Sequence, residues 1–178
     1  MKAINEYWYK KSTKTTIRHL EIQKEPIGTS HNIWNCVKQP KKKDIQKAEV
    51  RVKLVNDTYM IQYHQDKLSH KENAGFCKIC KDGVEDIEHF IPKSKPLDEV
   101  RQNKLEQFKR TVEDIKGGGE ELLEEKNQLL QAILDCTSKN VYTIITNNHN
   151  DLKAVERVSQ NVCFELHRLR TKLYCELR

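Results

Sequence analysis

The sequence predicts a mainly α-helical protein with one small irregular insert. Only 4 prolines and 6 glycines interrupt the chain, so long helices can run unbroken. Apolar residues recur at helical spacing through several long windows. Between those windows, Cys77 and Cys80 stand beside the turn dipeptide Asp82-Gly83, in text with no helical or strand period.

Residues 3–22 read as a first helix, with Ile4, Tyr7, Trp8, Ile17 and Leu20 loosely periodic. Glu25 to Cys36 is a turn-rich connector that Ile33 and Trp34 anchor on the core. From Lys42 to Tyr59 two patterns compete. Ile45, Ala48, Val52, Val55 and Tyr59 follow a helix, while Val50, Val52 and Leu54 alternate as in a strand. The helical stripe covers the longer window and Asp44 can cap it, so a helix is expected, with a second short one from Thr58 to about His70.

The irregular knot spans residues 74–95. Asp98 then caps a helix whose stripe is Leu97, Val100, Leu105, Phe108, Val112 and Ile115, and Gly117 to Gly119 stop it. Glu120 to Leu134 is an acidic amphipathic helix, and Thr137 to Asp151 reads as a loop with a small docking segment. Asp151 caps the last helix, with Leu152, Val155, Val158, Val162, Leu166, Leu169 and Leu173 as an ordinary bundle stripe. The division that follows is 1–116, containing the knot, and a helical region over 120–178.

Apolar residues make up 37% and charged residues 33%, lean for a globular chain yet not a disordered composition. No apolar run is long enough to span a bilayer, and "MKAINEYWYKKSTK" lacks a signal-peptide core, so an intracellular setting, nucleus or cytoplasm, is expected. Cys36, Cys136, Cys163 and Cys175 are scattered and read as free thiols.

Charge is uneven. Residues 1–71 hold 15 Lys/Arg against 7 Asp/Glu, and the remainder 17 against 19. The basic part includes Lys41, Lys42 and Lys43, candidate phosphate contacts whose bland alternative is a solvated face. Tyr7, Trp8, Tyr9 and Trp34 offer stacking surfaces, with core packing favoured for Trp34.

The chemistry concentrates in "CKICKDGVEDIEHF". A Cys-x-x-Cys turn aims both sulfurs at one ion, and Cys77, Cys80 and His89 supply thiolate and imidazole donors suited to zinc. The insert is therefore zinc-knuckle-like. A fourth donor is missing from the text after His89, where no Cys, His, Asp or Glu appears before Asp98. The site draws on a distant donor such as His64 or His70, or holds metal through three ligands and water, or folds without metal. Asp86 and Glu88 are exposed carboxylates or partners that orient the imidazole. No Gly-rich phosphate loop and no Gly-x-Ser-x-Gly elbow is present, and no βαβ pattern surrounds the cysteines, which disfavours a redox enzyme.

"CKICKDGVEDIEHFIPKSKPLDEVR" resembles the zinc-binding domain that follows the polymerase in non-LTR retrotransposon reverse transcriptases. That family's pattern is Cys-x-x-Cys, an acidic stretch, Glu-His-Phe, a Cys five residues after the His, then Pro-Leu and a helix containing an Arg. "SHNIWNC", "AEVRVKLVNDTYMIQ" and "CFELHRLRTKLYCEL" are similar to flanking segments of the same reading frames, although Asn56 to Thr58 replace a Thr-Gly-Thr-like turn. The resemblance implies metal ligands at Cys77, Cys80 and His89, with Ser94 standing where the family has its fourth ligand. It implies a C-terminal fragment of a retroelement protein that lacks the polymerase Asp-Asp motif, is not itself an enzyme, and helps hold RNA or DNA. The alternative is a degenerate helical remnant that binds neither metal nor nucleic acid.

Overall fold

The computed structural model describes residues 31–37, 41–69, 75–117, 126–146 and 148–177. The helix expected over 3–22, the aromatics Tyr7, Trp8 and Tyr9, and His70 lie outside the described residues. The chain is mainly helical, as expected. Its helices are α1 (Asn32–Asn35), α2 (Lys42–Val55), α3 (Gln62–Leu68), α4 (Ile87–Phe90), α5 (Asp98–Lys116), α6 (Lys126–Leu134), α7 (Lys139–Ile145) and α8 (His149–Glu176), with a 3-10 turn at Lys95–Leu97.

The long helix α8 is the spine. Its stripe lays Leu152, Val155, Val162 and Leu166 wholly in the interior, and α2, α5 and α6 pack along it. Helices on both sides of Gly117 contribute to this core, with Leu54 from α2, Phe108 from α5 and Ile133 from α6. The strand alternative for α2 fails because Ala48, Arg51, Leu54 and Val55 share one buried helical face.

Arg51 is fully buried at the crossing of three helices. Its Nε and Nη2 donate to the carbonyl of Leu134 at 3.2 and 3.0 Å, and its Nη1 pairs with Glu156. Buried charge survives there because each guanidinium nitrogen has an acceptor. Gln160 of α8 donates to the Ile33 carbonyl at 2.9 Å and docks α1.

Several local expectations need correction. Thr137 to Asp151 is not mainly loop, because Lys139–Ile145 is helical and buries Val141 and Ile145 one turn apart. Asp44 and Asp98 lie inside the first helical turn instead of capping it, where a carboxylate still complements the helix dipole. Asn148, not Asp151, caps α8, its side chain accepting from the Asn150 N–H. Ile33 anchors the connector as expected, but Trp34 is 41% exposed and is not core. Gly117 ends α5 at φ 76°, a left-handed conformation that an ordinary side chain resists.

Candidate metal centre

The knot is built on a one-bridge hairpin. Phe76 pairs antiparallel with Val84, the Cys77 N–H donates to Gly83 at 2.9 Å, and the Glu85 N–H donates to Gly75 at 2.7 Å. The Asp82-Gly83 turn closes it, as expected. Gly75 opens it at φ 69°, with the Tyr63 backbone so near that an added Cβ would sit 2.5 Å from Tyr63 Cα. Asp66 of α3 accepts from the Gly75 N–H at 3.0 Å and fixes where the hairpin starts.

Within the hairpin, the Lys81 N–H donates to the Cys77 carbonyl at 2.9 Å, and Lys81 takes a left-handed φ of 56°. This tight turn brings the two cysteines to one side. The Asp82 N–H then donates to Cys80 Sγ at 3.4 Å.

The third donor comes from α4. Asp86 caps that helix, accepting from the His89 N–H at 2.7 Å. Its carboxylate therefore holds the backbone of His89 and not the imidazole, while Glu88 lies 3.9 Å from Lys93. His89 is 7% exposed, and its Nε2 lies 3.1 Å from Cys80 Sγ.

The sequence-predicted trio is brought together. Donor atoms of Cys77, Cys80 and His89 all lie within 4.8 Å of one another, close enough to hold a metal ion. Two donors bound at about 2.0–2.3 Å to one tetrahedral ion stand about 3.5 Å apart, so small side-chain rotations complete the fit. His64 is not part of this cluster, because its Nε2 faces Asp57 Oδ1 at 3.0 Å.

Ser94 is buried and one turn beyond His89, its N–H donating to the His89 carbonyl at 2.8 Å. The next residue, Lys95, pairs with Asp82 at 2.9 Å and clips this segment to the loop that follows Cys80. Arg101 of α5 donates its Nε to the Ile91 carbonyl at 2.6 Å and its Nη2 to the Ser94 carbonyl. One arginine thus ties off the carbonyls that end the knot.

Glu85, 1% exposed, was not singled out by sequence reasoning and is the hub of the site. It accepts from Arg170 Nε and Nη2, each at 2.8 Å, from the Tyr174 hydroxyl at 2.9 Å, and from the Gln62 N–H at 2.7 Å. Burial opposes its charge, but these donors outweigh burial and hold its pKa below the ordinary carboxylate value. Cys77 Sγ stands 3.8 Å from Glu85 Oε1. Burial, joined by that carboxylate, pushes the Cys77 thiol up to about 11. A cation at the trio would reverse this, since a coordinating thiol gives up its proton.

Lys41, Lys42 and Lys43 lie elsewhere, exposed at the start of α2 and in no ion pair among the described residues. Cys36, Cys136 and Cys163 are buried free thiols and Cys175 an exposed one. No described helix is long and apolar enough to cross a membrane. No family model matches the chain, and no curated protein or solved structure matches it.

Proposed function

We propose that the chain is a non-catalytic zinc-knuckle-type module of a retroelement reverse transcriptase that assists in binding RNA or DNA. The observation that carries this reading is the convergence of Cys77, Cys80 and His89 on a preformed knuckle. Two thiolates and an imidazole select zinc over harder cations. Zinc would lock the hairpin to α4, a structural role needing no open coordination position for substrate. The exposed lysines at the start of α2 supply the charge that meets phosphates. The retroelement assignment rests on the resemblance around Cys77 to Arg101.

The test is metal content and nucleic-acid affinity measured on one preparation. Purified chain should carry one zinc, and its salt-sensitive binding to labelled RNA or DNA should weaken when a chelator removes the metal. Absence of both zinc and nucleic-acid binding would overturn the proposal.

One observation favours the alternative of a metal-free structural remnant. The knot is already fastened by Glu85–Arg170 and Arg101, neither of which needs a metal. A melting temperature indifferent to both zinc and chelator would select that alternative.

A further inference from the structure

Outside the metal centre, a cleft of about 580 Å³ opens between α2 and α8. That volume falls within the usual range for small-ligand sites. Glu49 and Lys53 of α2, Met60, and Phe164, His167 and Arg168 of α8 contribute to its lining.

Its floor is polar on one side. Tyr59, which also lines the cleft, stacks on Phe90 with ring centroids 5.4 Å apart, and Arg170 lies 5.5 Å over its ring. The Tyr59 hydroxyl is 2.7 Å from His167 Nδ1. Burial pushes the Tyr59 hydroxyl up to about 12, so it keeps its proton. Burial, with Arg170 and Lys53 adding to it, holds His167 below its ordinary value. The consistent assignment has Tyr59 donating to Nδ1 and the imidazole proton on Nε2, which makes a residue of the cleft lining a hydrogen-bond donor. Met60, 49% exposed, adds an apolar side chain to the lining.

The cleft also continues a line of charge. Lys42, Gln46, Glu49 and Lys53 recur at helical spacing along one face of α2, and the last three line the cleft. The exposed run Lys41 to Lys43 lies at the start of that helix, and Arg168 of α8 lines the same cleft. Lys53 rests on Glu49 in an exposed pair and the exposed Arg168 on the half-buried Glu165, each within one helix, and a phosphate can compete for both cations.

We propose that this cleft is a base pocket for single-stranded nucleic acid, with one unstacked base between Met60 and the Tyr59–His167 pair and its flanking phosphates on Lys53 and Arg168. The strand then runs along α2 to Lys41–Lys43. This rests on the nucleic-acid reading above. A concave site with an apolar side chain and a donor in its lining fits a base that has left its stack, and a paired base cannot enter it.

The test uses the zinc-loaded full chain, a labelled single-stranded oligonucleotide and a duplex of equal length. The variant carrying Met60→Ala and Arg168→Gln changes exposed side chains, so its melting temperature should match the parent. It should bind the single strand about tenfold more weakly and leave duplex binding unchanged. A free nucleoside monophosphate should compete for the single strand where inorganic phosphate at equal concentration does not. Lys41, Lys42 and Lys43 replaced together by Glu should weaken both nucleic acids. If the cleft variant binds the single strand like the parent while the lysine variant binds weakly, the pocket is wrong and the nucleic-acid reading stands. If the parent binds neither nucleic acid, both fall.

Discussion

Glu85 and Arg170, 85 residues apart in the chain, form a buried two-point ion pair, with Nε on Oε1 and Nη2 on Oε2, each at 2.8 Å. The pair joins the knuckle strand that follows Gly83 to the last turns of α8. Arg170 lies also over the rings of Tyr59, Phe90 and Tyr174. Replacing Glu85 by Gln keeps the shape but leaves the buried Arg170 without its counter-charge. The expected loss is about 3–5 kcal/mol, read by chemical denaturation, because a buried pair broken on one side leaves an uncompensated charge. The double variant Glu85→Gln, Arg170→Met should lose less than the two single losses added together. Simple additivity would show that the pair does not act as a unit.

Ser94 stands where the resembling family has its fourth ligand. A hydroxyl is a poor zinc donor, so Ser94→Cys should tighten zinc binding by on the order of a hundredfold and raise the zinc-dependent part of the melting temperature. Titration of both proteins against a competing chelator measures this. Equal affinities would mean that position 94 does not face the metal.

The lysine run should show itself in salt. Converting Lys41, Lys42 and Lys43 to Glu should lower the slope of log affinity against log salt by about 2 for a single strand, each lost phosphate contact being worth about 0.7. All three side chains are exposed, so the fold should persist with an unchanged circular dichroism spectrum. A slope identical to that of the parent would place the contact surface elsewhere.

His167 should leave a mark on the acid side of the stability curve. Its neighbours are the Tyr59 hydroxyl, the cations Arg170 and Lys53, which oppose protonation, and Glu49, which favours it. Burial is the largest influence, and the folded pKa lies below the ordinary 6.5. Between those two values the unfolded chain binds more protons, so the contribution to stability is complete above 6.5 and lost as pH falls through the folded value. In metal-free protein, the advantage of the parent over His167→Gln should shrink from about pH 7.5 to about pH 5. A difference constant over that range would contradict the assignment.

Much of this architecture is legible in the sequence. The stripes of α5 and α8 satisfy the helical period over three turns or more, and packing follows them; in α2 the helix is legible but its face is not, since Ile45 is exposed and Arg51 and Leu54 are buried. Cys77, Cys80 and Asp82-Gly83 mark the knuckle because Asp-Gly is a turn dipeptide and the Cys-x-x-Cys spacing suits one metal ion. α7 was obscured by Val141, Thr143, Ile144 and Ile145, whose branched side chains lower helix propensity. Burial of Val141 and Ile145 overrides that preference. Arg51 reads as a surface residue between two valines, since nothing local announces the Leu134 carbonyl and Glu156 that receive it. Glu85 is hidden for the same reason: its partners sit in α3 and α8, beyond any local pattern.

The central claim is that Cys77, Cys80 and His89 hold one metal ion, and protection of the two thiols tests it most directly. Zinc should be added to reduced chain and the alkylation of each cysteine followed by mass spectrometry, with exposed Cys175 as the internal reference. One equivalent should slow alkylation of Cys77 and Cys80 together, leave Cys175 unaffected, and lose its effect in the His89→Ala variant. Alkylation of Cys77 and Cys80 at the same rate with and without zinc would contradict the claim.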